Sequence, residues 1–205
     1  MGQYSDVIPV TITADTVALD ADGISVAASV GNNAALVIGG ALADSGSVTL
    51  SHGRLITILS AGDDSAISFT VVGTDVNGDS QTETVTGANA GTATSSKYFK
   101  TIASITAVGN PAGNVSAGIN ASAADAIFTM RSRLKGMFLT STATAGEIDF
   151  LTSSPSGTSI MKLSSVSDAD ATRDVTIPNE GVVFTSGIYI QYTVSTFLTM
   201  TVFHA

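Results

Sequence analysis

The sequence predicts an all-β chain made of two tandem antiparallel β-sandwich domains, of the Ig-like or jelly-roll-like kind. Three observations carry this prediction. Short runs rich in Val, Ile, Thr, Phe and Tyr recur along the chain, clusters of Gly, Asn, Asp and Ser separate them, and no long stretch has the period of a helix. Strands at this spacing, with no helices between them, are typical of an antiparallel sandwich or barrel rather than of a parallel α/β sheet.

The first half of the chain contains the most regular runs and two turn signals. Asn77 and Gly78 tolerate positive φ angles, so Val72–Val85 is predicted to form a hairpin closed by a type I′ turn. A second turn is predicted at Asp20–Gly23, whereas Asn32–Ala43 fits either a short helix or a buried strand. The strands predicted here are Ser47–Leu50, Leu55–Ser60, Ala66–Gly73, Gln81–Thr86, Tyr98–Val108 and Asn114–Ile119.

A change of composition marks the predicted domain boundary. The stretch from Gly109 to Ala126 is rich in Gly, Ala, Asn and Ser, and a new series of strands begins after it. We therefore expect an N-terminal domain over residues 1–120 and a C-terminal domain over residues 121–205, with one shared core as the alternative. The strands predicted in the second series are Ile127–Leu139, Glu147–Thr152, Ser159–Ser164, Arg173–Ile177, Gly181–Thr185, Gly187–Thr193 and Phe197–Phe203.

Composition argues against several classes of function. Charged residues make up only 12% of the chain, about half the usual share, so Ser, Thr, Asn and Gly provide most of the polar surface. The formal net charge of -9 argues against binding to nucleic acid or to an anionic membrane, since both need clustered cations. The lack of cysteine excludes disulfides and thiol chemistry. The first ten residues do not resemble a secretory signal, and we expect synthesis in a cytoplasm.

No residue pattern points to catalysis. His52 and His204 lie outside any motif, and His52 precedes Gly53 in a predicted turn. Glu147 and Asp149 lie two apart on a predicted strand, but the acids of glycosidases normally come from different strands in an aromatic-lined cleft. A solvated strand face is the expected role of this carboxylate pair. We therefore expect no enzymatic activity, no catalytic residue and no cofactor.

A weak cation site is the alternative interpretation of the predicted hairpin turn. Asp75, Asn77 and Asp79 alternate as oxygen ligands do in a calcium loop, and Glu83 is a further carboxylate nearby. The Gly and the bidentate Glu that an EF-hand requires at its sixth and twelfth places are missing. We expect these residues to build a turn, and we predict no metal site.

Three of the eight cations form the candidate interaction site. Arg131, Arg133 and Lys135 lie two apart on the predicted strand Ile127–Leu139 and would therefore share one face. This ladder either keeps an exposed strand soluble and prevents edge pairing, or it meets an acidic surface of a partner. The residues expected on the opposite face, in the core, are Phe128, Met130, Leu134 and Phe138.

Two parts of the sequence resemble virion proteins of tailed bacteriophages. Those proteins share a hairpin with Gly-Thr-Asp, Asn-Gly and Thr-Glu-Thr, followed by Lys-x-Phe-Lys-Thr and a Gly-Asn-Val-Ser strand, and residues 73–118 are similar to this segment. Residues 178–193 (PNEGVVFTSGIYIQYT) and 199–205 (TMTVFHA) look like the closing strands of small phage structural domains.

The resemblance implies a structural protein of the virion, made in the host bacterial cytoplasm. A decoration or cement protein on the head shell is the first expectation, and a tail or fibre component is the second. A fibre usually has a coiled-coil or repeated shaft, and no heptad or repeat is visible in this sequence. A carbohydrate-binding module is the third possibility, disfavoured by the absence of Trp. The expected partners are the major capsid protein or other virion proteins, and further copies in a homo-oligomer.

Overall fold

The chain is built from β-strands throughout the part that the structure describes. This computed structural model describes residues 6–13, 20–120, 124–154, 157–192 and 197–205. These residues form sixteen strands in antiparallel sheets and no helix, so the prediction of an all-β chain is confirmed. The same ranges contain no helix with the length and hydropathy that crossing a membrane requires.

The chain divides into two compact units. The central unit is Val17–Ser122, and the terminal unit combines Met1–Thr16 with Ala123–Ala205. The strands of the central unit are β2 (Asp20–Ser29), β3 (Ala43–Asp44), β4 (Ser47–Ser60), β5 (Ser68–Thr74), β6 (Ser80–Thr86), β7 (Thr92–Val108) and β8 (Asn114–Ile119). The strands of the terminal unit are β1 (Ile8–Thr13), β9 (Ala124–Phe128), β10 (Ser132–Ser141), β11 (Gly146–Thr152), β12 (Thr158–Ser165), β13 (Thr172–Thr176), β14 (Val182–Phe184), β15 (Ile188–Tyr192) and β16 (Phe197–His204).

In the central unit the strands follow the order β6-β5-β7-β4-β8-β2, and β3 pairs with β4. The segment Asn32–Ala43, predicted as a short helix or a buried strand, is mostly irregular, and only its last residue belongs to a strand, β3. Part of it runs extended beside β7, where the Leu36 N–H donates to the Ile105 carbonyl at 2.8 Å. Alternation along the strands places their apolar side chains on one side. The largest side chains of this core are Phe69, Phe99, Ile24, Ile56, Ile58, Ile102 and Ile105.

The terminal unit has two groups of strands that contribute to one core. The first group follows the order β1-β16-β10-β13, with β14 also paired to β10, and the second follows the order β12-β11-β15-β9. Strands from both groups place fully buried side chains in a single hydrophobic cluster. In the first group, residues on the other side of the sheet such as Thr11 and Phe138 are exposed. The largest members of this cluster are Phe150, Phe184, Phe197, Ile12 and Tyr192.

The division into units differs from the predicted one at the N terminus. Strand β1 lies within residues 1–120, the predicted N-terminal domain, but it pairs antiparallel with β16, with Ile12 opposite Met200 and Val10 opposite Val202. Ile12 and Met200 are both buried in the core of the terminal unit. The apolar side chains of β1 complete that core, which explains why β1 belongs to it.

The predicted hairpin forms, but its turn is of another type. Strands β5 and β6 pair with Thr74 opposite Ser80, and the Gly78 N–H donates to the Asp75 carbonyl at 3.2 Å. Gly78 has a φ of +88° whereas Asn77 does not have a positive φ, so the type I′ prediction is wrong. The arrangement is a type I turn followed by a left-handed glycine, the usual three-residue hairpin loop.

Two other turn predictions are wrong as well. Asp20–Gly23 lies within β2, and His52 and Gly53 lie within β4, which merges two predicted strands into one. Both strands shift register at these places, between Asp20 and Ser25 in β2 and between Thr49 and Arg54 in β4. Glycine and polar residues mark irregularities inside these long strands, because a bulge needs the same residue types as a turn.

Candidate interaction surface

The predicted cation ladder does not lie on one continuous strand. Strand β9 ends at Phe128 and β10 begins at Ser132, and the residues between them form a bend. Arg131 lies in this bend and is exposed, while Arg133 and Lys135 lie on β10 and are half-buried. The structure therefore places two of the three cations on one strand and separates the third from them.

Arg133 and Lys135 share an intramolecular partner. The Arg133 Nη1 donates to the carbonyl oxygen of Glu180 at 3.4 Å, and the Lys135 Nζ donates to the same oxygen at 3.1 Å. Glu180 lies in the turn that leads into β14, and the Gly181 N–H in this turn donates to the Pro178 carbonyl at 3.3 Å. These two cations hold the turn against β10, which is a structural role that the sequence did not indicate.

A β-bulge reverses the faces of β10 halfway along the strand. Leu134 lies opposite His204, but Gly136 lies opposite the next residue, Phe203, so Lys135 is an extra residue on β10. Before the bulge the even-numbered Leu134 is buried, as predicted. After it the odd-numbered Met137 and Leu139 are buried.

Two of the four residues predicted in the core are therefore at the surface. The bulge turns Phe138 outward, where it is 40% exposed, and the bend leaves Met130 53% exposed. Phe128 is half-buried, and its ring centroid lies 4.8 Å from that of His204. The prediction for Phe138 and Met130 is wrong because it assumed one regular strand.

The solvent-side face of the first strand group forms the candidate interaction surface, which we call the outer face. Phe138 lies opposite Thr201, and Thr201 lies opposite Thr11, with 2.9 Å between the two threonine hydroxyl oxygens. Residues directly opposite one another share a face of the sheet. The remaining members of the outer face on these strands are Pro9, Thr13, Phe203, Thr199, Gly136 and Thr140.

The residues of the candidate calcium loop bind backbone groups. The Asp75 Oδ1 accepts the N–H of Asn77 at 2.8 Å and that of Asp79 at 3.0 Å, as an aspartate at the start of a type I turn does. The carboxylate of Glu83 accepts the N–H groups of Ser96 and Lys97 at 2.7 and 2.8 Å. Among the described residues no group of three His, Asp or Glu side chains could hold a metal ion.

The carboxylate pair on β11 has a cation between its members. The Lys162 Nζ lies 3.3 Å from the Asp149 Oδ2 and 3.6 Å from the Glu147 Oε2. Asp149, by hydrogen bond and by charge, and then Glu147 raise the pKa of Lys162 above its usual value. The register of β11 and β12 explains this position of Lys162, because it places Lys162 opposite Asp149. These three residues therefore form a salt-bridged face of the strands.

Sequence reasoning missed a buried Ser and His pair. The Ser132 Oγ lies 3.0 Å from the Nδ1 of His204 and 3.0 Å from the carbonyl oxygen of Ala205. Both contacts are satisfied when Nδ1 carries the proton and donates to Ser132, whose hydroxyl donates to Ala205. Ser132 and His204 are 3% and 2% exposed, and burial lowers the pKa of His204. The pair joins β10 to β16. The side chain of His52, the other histidine, lies outside the described residues.

Comparisons with protein-family models, with curated proteins and with solved structures gave no match for this chain. The surfaces described above therefore have to be interpreted from their own residues. The carboxylates of both acidic groups that the sequence singled out bind partners within the chain, and so do Arg133 and Lys135. Phe138 and the surrounding threonines stay on the solvent side of the sheet.

Proposed function

We propose that this chain is a non-catalytic structural protein of a tailed-phage virion that decorates the head by binding the major capsid protein through its outer face. The resemblance of residues 73–118 to virion proteins supports the phage assignment. The polar surface with few charges supports a role in packing against a regular lattice, because such packing relies on shape and hydrogen bonds.

The exposure of Phe138 is the observation that supports the assignment of the binding face. Phe138 is 40% exposed, hydroxyl side chains flank it on β10 and on the neighbouring β16, and the exposed Asp174 lies opposite it on β13. A large aromatic side chain within a polar rim is typical of the anchor residues that contribute most to protein interfaces. Docking would bury the rest of its ring, while Thr201 and Thr11 can donate and accept hydrogen bonds around it.

We further propose that each unit is a β-sandwich of the Ig-like or jelly-roll-like kind. In the terminal unit, two groups of antiparallel strands surround one hydrophobic cluster, as the two sheets of a sandwich do. In the central unit, seven strands share one core in the same manner. Two compact units built from β-strands suit a protein that adds contacts to a shell.

The proposal is tested by coexpression with the major capsid protein from the genome that encodes this chain. Particles are separated on a density gradient, and the wild-type chain is expected in the head fraction. Phe138→Ser should reduce its occupancy about fivefold or more, since the loss of an aromatic anchor costs more than 1 kcal/mol. Ile160→Ser is the matched control, because Ile160 is 41% exposed on a strand of the other group.

A second variant tests the contribution of charge. Arg131 is exposed and lies in the bend next to β10, so Arg131→Glu should weaken occupancy moderately and mainly at low salt. Circular dichroism establishes that each variant is folded. Wild-type occupancy of Phe138→Ser would contradict the assignment of the outer face, and cosedimentation with tails instead of heads would contradict the proposed role in decoration.

A further inference from the structure

The central unit carries a surface formed by uncharged side chains. Strands β5, β6 and the second half of β7 form a three-stranded antiparallel sheet. Three side chains on its inner side, Phe69, Val71 and Ile105, are fully buried. The side chains on its other side are all exposed or half-buried. We call this side the hydroxyl face, and its members are Ser68, Thr70, Val72, Thr74, Ser80, Thr82, Thr84, Thr86, Ser104, Thr106 and Val108.

The pairing register arranges these residues in rows across the strands. Thr70 lies opposite Thr84 on one side and opposite Thr106 on the other. The rows continue beyond β7, since Ala35 pairs with Thr106 and is exposed, and Val37 is 79% exposed two residues later. The result is a patch of hydroxyl groups bordered beyond β7 by exposed aliphatic side chains. Lys97 reaches its β6 strand, where the Lys97 Nζ donates to the Thr82 carbonyl at 2.8 Å.

The chain has a net charge of -9, whereas the members of this face carry no charge. Two copies that meet through acidic surfaces repel each other, whereas they can meet through the hydroxyl face without bringing carboxylates into contact. Each hydroxyl both donates and accepts hydrogen bonds, so two identical faces can satisfy one another, which two like-charged faces cannot do. The hydroxyl face is therefore chemically complementary to itself.

We propose that the hydroxyl face binds the same face of a second copy of this chain, related by a twofold axis. Three strands about 4.8 Å apart and seven residues long give a patch of about 300 Å² per copy. Stable interfaces bury about 800 Å² per partner, so this contact is weak and forms at high local concentration. The proposal concerns the central unit and does not depend on the function proposed for the outer face.

The absence of cysteine from the chain allows a direct test by cross-linking. Packed sheets lie about 10 Å apart, too far for a disulfide, so a short bismaleimide of about that span is used on single-cysteine variants. Thr70→Cys, on the middle strand of the face, should give a covalent dimer about tenfold faster than Ser29→Cys. Ser29 is the control because it is exposed on β2, which β4 and β8 separate from β7.

A lysine variant separates specific contact from general repulsion. Thr106→Lys makes the net charge less negative, which would favour association if overall charge governed it, yet it places an unpaired charge within the proposed interface. Sedimentation velocity at increasing concentration should show weaker self-association for Thr106→Lys than for wild type, and no weakening for Ser29→Lys. Equal cross-linking of the two cysteine variants, or a wild-type chain that stays monomeric at the highest concentration, would overturn the proposal.

Discussion

The glycine in the β5–β6 hairpin offers a direct test of the turn geometry. Gly78 has a φ of +88°, and a Cβ added to it would have no atom within 4 Å. A substitution at this position therefore meets no steric contact with neighbouring residues. Any loss of stability comes from the backbone conformation alone, which L-residues with a side chain rarely adopt.

The expected loss of stability follows from the backbone conformation of Gly78 alone. Gly78→Ala should lower the free energy of unfolding by about 1 kcal/mol, and Gly78→Val by about 2 kcal/mol because a β-branched side chain tolerates this conformation least. Gly78→Asn should cost only a few tenths of a kcal/mol, since asparagine visits the left-handed region readily. Each kcal/mol corresponds to about 2–4 °C in Tm for a chain of this length.

Urea unfolding followed by circular dichroism measures these differences, and Gly39→Ala serves as the matched control. Gly39 has no positive φ, and an added Cβ would lie 3.8 Å from the Val37 Cγ1, an ordinary contact. Alanine at such a position stabilises a chain by about 0.4–1 kcal/mol through the unfolded state. If Gly78→Ala were as stable as Gly39→Ala, the left-handed conformation at Gly78 would be refuted.

Two further predictions concern buried polar groups. Burial holds the pKa of His204 below the 6.5 of the unfolded chain. The contribution of neutral His204 to stability is therefore complete above pH 6.5 and is lost as the pH falls from 6.5 toward the lowered pKa. Urea unfolding at pH 7.5 and 5.5 should show a smaller pH effect in His204→Asn than in wild type. Asp64 is fully buried, and its Oδ1 accepts the Ala112 N–H at 2.7 Å. Asp64→Ala should lower the free energy of unfolding in urea by about 1–3 kcal/mol because it leaves that N–H unpaired, and Asp64→Asn should lower it less.

Local patterns predicted most of the strands. The runs Gln81–Thr86 and Asn114–Ile119 match β6 and β8 closely, because alternation and flanking turn residues are properties of a few neighbouring residues. The predicted turn type was wrong although the sequence contained a signal for the correct type. Asp75 stands at the first position of a type I turn, where aspartate is favoured because its carboxylate accepts backbone N–H groups two or more residues later.

Features that depend on distant residues were not predictable. Strand β1 pairs with β16, at the other end of the chain, and no pattern within Ile8–Thr13 indicates that partner. The bulge in β10 had only one signal, Gly136 within a predicted strand, which is typical of a bulge or a close backbone approach. A Cβ at Gly136 would lie 2.8 Å from the carbonyl oxygen of Val175. That approach exists only once β13 has paired with β10.

The bulge also changes the physical basis of the proposed docking. Without it Phe138 would point into the core, and the cations would be the main feature of the exposed face. With it Phe138 lies on the outer face, and Arg133 and Lys135 bind the carbonyl of Glu180. Charges at a rim mainly tune the rate of association, whereas burial of an aromatic ring contributes to the lifetime of a complex. Attachment through this face should therefore depend on Phe138 more than on salt concentration.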